Sequence, residues 1–353
     1  MKRLKVPIPC PRLAELPSPP SGNAGWPWTE ESAQLPDIMP ALSGAEGPDG
    51  SPWPRVSIVT PSYNQAQFIE ETIRSVLLQG YPNLEYIIID GGSTDNSVDI
   101  IRRYEPWLSY WVSEKDRGQS HAINKGFDLA QGEIFAWLNS DDVYAPYAFA
   151  TAAQAFAERP DCGLVYGDAH RIDIDGQLLG PCKHVQSYDR TQMLERCNLI
   201  VQPAAFFRRT AFLAVAGLDE SLHNVMDYDL WFRLADHSGA AYIPSTLAKA
   251  RIYAATKTQA SGRRRFDEIE MVARRYGARK LPSGWRGELA IRHLQLAWER
   301  VEAGDRKSAM SELFYVLRKA PEAKRRSRFW RLFVRSLLPP ALARALSDIR
   351  KKL

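Results

Sequence analysis

The sequence predicts an α/β protein built on a mainly parallel sheet flanked by helices, with a C-terminal helical extension. Three observations carry that reading. From Arg55 onward, short β-branched runs alternate with stretches of helical spacing. Asp90 and Asp141 lie just beyond two apolar runs, Leu84–Ile89 and Ile134–Leu138, where an open α/β sheet presents its ligand side. After Arg263 the pattern is helical throughout.

The elements follow in chain order. Residues 1–54 are rich in Pro, Gly, Ser and Ala and carry no sustained period, so they read as a largely disordered leader that Trp26, Trp28 and Trp53 can pin in places to the domain surface. Val56–Thr60 is a first strand. Ile69, Ile73, Val76 and Leu77 then recur at helical spacing until Gly80 and Pro82 stop the helix. Leu84–Ile89 is a second buried strand. Helices near Ser97–Tyr104 and Ser120–Ala130 flank a short strand at Tyr110–Val112, and Gly132 precedes the strand Ile134–Leu138. Such alternation implies parallel pairing with right-handed crossovers. The next part is less regular, with a strand at Leu164–Tyr166, a hairpin about Asp175-Gly176, a strand at Ala204–Phe207 and a helix from Asp229 to Ala235. Leu289–Ala303 and Lys307–Lys319, joined by Gly304-Asp305, form an αα-hairpin. The expected divisions are therefore a leader at 1–54, an α/β domain at 55–263, a helical extension at 264–323 and a basic amphipathic tail at 324–353.

Composition narrows the function classes. A chain of 353 residues with 45% hydrophobic and 25% charged content can bury a large core. Its four cysteines are scattered without a Cys-x-x-Cys pair, which argues against a disulfide framework or structural zinc and for a reducing compartment. The basic start lacks the apolar stretch of a signal peptide, and no run of about 18 apolar residues reads as a spanning helix. The expectation is a cytoplasmic protein, peripheral on the inner face of the cell membrane if its tail binds lipid. Residues 324–353 hold ten Lys/Arg and one acid, Asp348, a net +9 against about −4 for the rest of the chain. This tail interleaves Arg with Phe329, Trp330, Leu332, Phe333, Val334, Leu337 and Leu338, and reads either as an interfacial segment drawn to anionic lipid or as a helix packed on the protein. No nucleic-acid recognition motif is present.

Three acidic clusters carry the chemistry: Ile-Ile-Ile-Asp-Gly-Gly-Ser-Thr-Asp at 87–95, Trp-Leu-Asn-Ser-Asp-Asp at 137–142 and Met-Asp-Tyr-Asp-Leu-Trp at 226–231. They suit a nucleotide, a metal and a general base. Tyr63 and Asn64, in the turn after the first strand, can stack on and fix a base, or pack the loop. Asp90 can accept from a uracil-type imide N–H through a charge-strengthened hydrogen bond. Asp95 either faces a ligand or caps the following helix. Asp141 and Asp142 offer the hard oxygens that Mg2+ or Mn2+ takes together with substrate phosphates, although Asp-Asp also occurs in plain turns.

These segments, together with Val-Thr-Pro-Ser-Tyr-Asn at 59–64, resemble the family 2 glycosyltransferases of the GT-A fold over roughly Arg55 to Arg263. The resemblance implies an inverting hexosyl- or hexosaminyltransferase that moves a sugar from a nucleotide diphosphate sugar, with a UDP-sugar favoured, to the hydroxyl of a saccharide or lipid-linked acceptor. Cell-surface polysaccharide or glycolipid assembly is the implied setting, and Mg2+ or Mn2+ the implied cofactor. By the same resemblance Pro61, Tyr63 and Asp90 form the nucleoside pocket with Asn64 beside them, and Asp95 is the remaining carboxylate of its motif. Arg117 sits near phosphate and Asn124 faces the donor. Asn139-Ser140-Asp141-Asp142 takes the place of the Asp-x-Asp metal motif, with Asp141 as its second acid, Asn139 replacing the first and Asp142 compensating. Asp227 matches the general base, with Met226 where the family often has Glu, while Asp229 reads as the acid favoured in a first helical turn. Gln202-Pro203 resembles an acceptor-side loop, and Arg251 and Lys257 are expected phosphate partners. Tyr253 falls where many members carry His. A second departure is Gly91, since the family's frequent Asp-Asp-Gly-Ser is Asp-Gly-Gly-Ser here. A sugar-phosphate nucleotidylyltransferase would need a glycine-rich, basic signature near 55–64, which is absent; a non-catalytic scaffold with a degenerate sugar site stays open.

Overall fold

The computed structural model describes residues 9–35, 53–325 and 327–337. Two compact units divide the chain: residues 1–189 with 198–265, and residues 190–197 with 266–353.

The first unit contains a nine-stranded sheet in the order β3-β2-β1-β4-β8-β6-β9-β5, with β7 paired to β6. Its first half is parallel. β1 (Val56–Ser62) lies between β2 (Leu84–Asp90) and β4 (Ile134–Trp137), and β3 (Tyr110–Ser113) pairs with β2. Every residue of β1, β2 and β4 is buried, which is why these strands read as unbroken apolar runs rather than alternating ones. Strand order reverses at β1, since β2 and β3 build out on one side and β4 on the other. The carboxyl ends of β1 and β4 thus flank a topological switch point, the place where such sheets bind ligands.

The second half is mixed. β8 (Ala205–Arg208) runs antiparallel to β4 and to β6 (Leu164–Ile172), and β6 pairs in parallel with the twelve-residue β9 (Ala240–Arg251). β5 (Val143–Tyr144) joins the far side of β9, and β7 (Leu178–Pro181) closes the anticipated hairpin over Asp173–Gln177. Two elements have no clear signal in the sequence. The helix Ala148–Glu158 is so alanine-rich that its buried face lacks a sharp apolar stripe, and β9 is interrupted by Pro244 and by register shifts.

The expected disordered leader is corrected over residues 9–35. Cys10, Leu16 and Leu35 are buried in the main core, and the segment straps the helix α1 (Ile69–Leu77). The cause is polar rather than periodic. Arg74 of α1 is fully buried, and its guanidinium donates to the carbonyls of Pro17 (2.8 Å), Pro27 (3.0 Å) and Trp28 (2.8 Å) and to Tyr104 Oη. Prolines leave carbonyls free to accept without demanding a strand partner, so a Pro-rich strap suits a buried guanidinium. The crossing is close. A Cβ on Gly80 would lie 2.2 Å from Ala33 O, and Leu35 N donates to Gly80 O at 3.0 Å. Of the anchors foreseen, Trp26 Nε1 donates to Tyr144 O at 2.8 Å and Trp28 lies under Arg74. Residues 1–8 and 36–52 of the leader lie outside the described residues.

The second unit is helical. Ser283–Glu302 and Arg306–Lys319 form the anticipated hairpin, with Asp305 capping the second helix through Ser308 N at 3.0 Å. Between them His293 Nδ1 meets Glu312 Oε2 at 2.6 Å, and Arg300 holds the other carboxylate oxygen. Ser327–Leu337 is a further helix that buries Phe329 and Leu332. The rest of the expected tail, residues 338–353, lies outside the described residues. All four cysteines are free, and burial pushes Cys10 up to about 12, so that thiol is inert.

Candidate active site

The loops after β1, β2 and β4 and the start of the helix Met226–Ser238 carry the motif residues, all within the first unit. Pro61 is buried in β1 opposite Ile89, and Tyr63 beyond it is 60% exposed, free to offer a ring face. Asn64 adopts a left-handed backbone (φ 52°); its side-chain carbonyl accepts from Thr94 N at 2.8 Å while its backbone N–H donates to Ser93 Oγ. It ties two loops together. Asp95 does the same work: it accepts from Ala66 N at 2.9 Å and Ser97 N at 3.0 Å. Against the burial that raises it, these hydrogen bonds and Ser97's hydroxyl hold its carboxyl below the usual value.

Asp90 is placed differently from its expected role in reading a base. It is completely buried, and strand register sets it between Ser62 on β1 and Ser113 on β3. Both serine hydroxyls donate to it, as do Ser93 Oγ, Ser93 N at 2.8 Å and Gly92 N at 3.1 Å. Five donors occupy the lone pairs of one carboxylate, so Asp90 holds the loop and leaves no oxygen for a ligand.

At the end of β4 the half-buried Asn139 is the centre of a polar network. Its oxygen accepts from Gln119 Nε2 at 2.7 Å, and its amide donates to Gln202 Oε1 at 2.9 Å and to Asp142 Oδ2 at 3.2 Å. Lys257 Nζ donates to Gln119 Oε1 at 2.8 Å, extending the chain. Asp142 is buried, its other oxygen taken by Arg251 N at 2.9 Å, and burial together with the charge of Asp141 drives its pKa well up. Asp141 is half-buried. Its Oδ2 accepts from Tyr253 Oη at 3.1 Å, and burial raises it against the pull of Tyr253 and Arg251. Burial and Asp141 in turn push Tyr253 up to about 12, so the phenol keeps its proton and stays a donor.

Arg251 does not fit its expected role at phosphate. It is buried, stacked over Phe68, and its donors go to Asp141 O, Asp173 O, Ile174 O and the Glu71 carboxylate at 2.5 Å. Arg117 is exposed and paired with Glu220 at 2.8 Å. Asn124 also departs from its expected place at the donor: it bonds Leu218 in both directions, at 2.9 and 3.0 Å, bracing the segment that leads to Asp227.

The two acids of the third cluster separate cleanly. Asp229 is wholly buried and paired with Arg233 at 2.8 Å, whose guanidinium also reaches Val215 O and Gly217 O. Asp227, two residues earlier and so on a different face of the helix, is half-buried, with Asn198 Nδ2 3.4 Å from its Oδ2. Burial raises its pKa against the amides of Tyr228 and Asp227 and the charges of Arg265 and Lys257. Lys257 therefore belongs to both ends of the site, bonding Gln119 and acting electrostatically on Asp227. Gln119 is the member to which sequence reasoning gave no role, because a neutral amide carries no signature until its partners are known, and Gln202, expected in an acceptor-side loop, here bonds Asn139 and Trp137 O.

Among the described residues no three His, Cys, Asp or Glu side chains gather as a metal cage. Asp141 is the carboxylate with an oxygen left over.

A parallel half-sheet with polar loops at its switch point, continued by a mixed half carrying an acid at a helix start, defines an α/β protein of the GT-A fold. Residues 57–214 match the family model Glycosyl transferase family 2, and the chain carries a domain of that family. An uncharacterised glycosyltransferase of Rickettsia prowazekii is 31% identical over 217 residues, covering 58% of this chain and 66% of that protein. A longer Rickettsia conorii glycosyltransferase is matched over 34% of its length, so the chain spans two thirds or less of these relatives. Among solved structures, the mannosyltransferase PcManGT from Pyrobaculum calidifontis, in complex with GDP-Man and Mn2+, superposes with a TM-score of 0.50 at 20% identity, covering 85% of this chain and 88% of that one.

Proposed function

We propose that the protein is an inverting glycosyltransferase that uses a nucleotide diphosphate sugar and an acceptor hydroxyl. The observation that carries this is the hydrogen-bonded chain from the end of β4 through Asn139 and Gln119 to Lys257, whose positive charge also acts on the raised carboxyl of Asp227. A donor held at the switch point lies on one side of that link and a general base on the other. Asp227 takes the proton of the acceptor hydroxyl as its oxygen bonds to the anomeric carbon, and the bond to the diphosphate breaks with its electron pair leaving on phosphate. Lys257 offers positive charge for that leaving group. Tyr253 fixes the rotamer of Asp141, and Gln202 that of Asn139. A divalent cation held by Asp141 supplies further neutralisation of the diphosphate when bound. The support from relatives is that PcManGT holds GDP-Man with Mn2+ and that S. aureus TarS 1-349, a 15% identical fold relative with a TM-score of 0.50, is in complex with UDP-GlcNAc. Incubating the protein with Mn2+ and a panel of UDP-, GDP- and dTDP-sugars, and measuring nucleoside diphosphate release, tests this. Absence of both release and binding for every donor overturns it.

We place the reaction at a membrane surface, in polysaccharide or glycolipid assembly. No helix among the described residues is long and apolar enough to cross a membrane. In the helix Ser327–Leu337, however, Trp330, Val334 and Leu337 are 51%, 51% and 62% exposed and recur at i, i+4 and i+7 on the face opposite Phe329 and Leu332. They sit within the +9 segment, a combination that suits anionic lipid. Phosphatidylglycerol vesicles should sediment the full-length protein at low salt and release it as salt shortens the Debye length toward about 8 Å at physiological ionic strength. The triple change Trp330→Ser, Val334→Ser, Leu337→Ser should abolish sedimentation while donor hydrolysis persists. Equal binding by that variant overturns the placement.

A further inference from the structure

The space beside Gly91, where a side chain would stand, is filled. A Cβ built on Gly91 would lie 2.7 Å from Asp116 Oδ2, 3.2 Å from Asp116 Cγ and 3.4 Å from Tyr63 Cδ2. The backbone at Gly91 is not left-handed, so crowding by the Asp116 carboxylate is what demands glycine there. Asp116 arrives from the loop after β3, and its Oδ1 accepts from Gly118 N at 2.8 Å. That bond orients the carboxylate, and no hydrogen bond among the described residues engages Oδ2. One free carboxylate oxygen and the exposed ring of Tyr63 therefore both border the position of Gly91. Asp90, with its oxygens occupied by five internal donors, cannot take that part.

We propose that Asp116 is the residue that selects the donor's base, its Oδ2 accepting the imide N–H of a uracil-type ring stacked on Tyr63. This rests on the nucleotide-sugar reading above. The chemistry distinguishes the bases. A uracil or thymine imide presents one N–H between two carbonyls and needs one acceptor oxygen. Guanine presents two adjacent N–H groups that a carboxylate takes with both oxygens, and Oδ1 is already committed to Gly118. Cytosine presents a lone pair at the corresponding ring nitrogen, which a carboxylate repels. Because the Asp116 carboxylate fills the space a side chain at position 91 would take, Gly91 and Asp116 are a matched pair.

Calorimetric titration of the full-length protein with UDP, CDP and GDP in Mn2+ tests the pairing. The parent should bind UDP more tightly than CDP or GDP. Asp116→Asn keeps a carbonyl for Gly118 N but removes the charge, and should weaken UDP about 10- to 100-fold, the range of a hydrogen bond to a charged group, with CDP unchanged or improved. Gly91→Asp combined with Asp116→Gly returns an acid to the same space and should recover the preference for UDP, which a merely loop-supporting Asp116 would not allow. A parent that prefers GDP, or an Asp116→Asn variant that keeps the parent's UDP-to-CDP ratio, overturns the assignment while leaving the transferase reading intact. Equal loss of all three nucleotides in Asp116→Asn likewise overturns it, because the residue then only props the loop. Failure of the parent to bind any nucleotide removes the transferase reading and this one with it.

Discussion

Asp227→Asn should reduce turnover by about 10²- to 10⁴-fold, the usual contribution of a positioned general base, while nucleotide-sugar affinity stays at the parent value. The amide matches the carboxylate in shape, so the local fold is kept. Asn198 and the helix start still hold the side chain, yet it no longer accepts a proton. Two further features make the outcome specific to this residue. Asp229 cannot take over, being wholly buried and committed to Arg233. The pH dependence should also change. Burial raises the Asp227 pKa above its ordinary 3.8, and a base works only when deprotonated, so kcat/KM of the parent falls as pH drops through that raised value. In Asp227→Asn that acid limb should disappear. A pH-rate profile on the donor identified by the panel checks both points, and parent-like turnover in the variant would move the base elsewhere.

The parallel half of the sheet was legible because fully buried strands announce themselves as Leu84–Ile89 does, with no polar alternation to confuse them. The C-terminal hairpin was equally plain from Gly304-Asp305. The strap was not. Its order comes from Arg74, a charged residue on a buried helix, meeting the carbonyls of Pro17, Pro27 and Trp28, and no periodicity encodes that. At the site, the motif positions were found but several of their functions were exchanged. Asp90 and Asn124 have the chemistry of ligand contacts, and the structure uses them to hold loops, because strand register places Ser62 and Ser113 on either side of Asp90 and Leu218 packs against Asn124. Arg251 carries a charge suited to phosphate but is enclosed by carbonyls and Glu71. A residue type states what a side chain can do; its partners decide whether it is left free to do it.

The same distinction governs the metal, where opposite changes at two neighbouring positions should have opposite effects. Asp141→Ala removes the carboxylate with an available oxygen, and Mn2+ should then no longer raise nucleotide affinity. Asn139→Asp restores an acid where the family's first motif acid falls, and the surrounding bonds determine its cost. Asn139 donates to Asp142 Oδ2 and to Gln202 Oε1, and Gln202 cannot simply turn over, because its Nε2 donates to Trp137 O at 2.7 Å. An aspartate there faces a second carboxylate and leaves the glutamine oxygen without a donor, a loss of about 1–3 kcal/mol from the unmet hydrogen bond alone. The melting temperature of Asn139→Asp should accordingly fall in EDTA. A divalent cation between the introduced carboxylate and Asp141 would reverse the sign of that interaction, and binding to the folded state at a hundred times its Kd contributes about 2.7 kcal/mol. Added Mn2+ should therefore raise the melting temperature of Asn139→Asp more than that of the parent, and should do so without nucleotide. If Asp141→Ala keeps the parent's Mn2+-dependent nucleotide affinity, or if Mn2+ leaves the Asn139→Asp melting temperature where EDTA put it, the cation is not held at the end of β4.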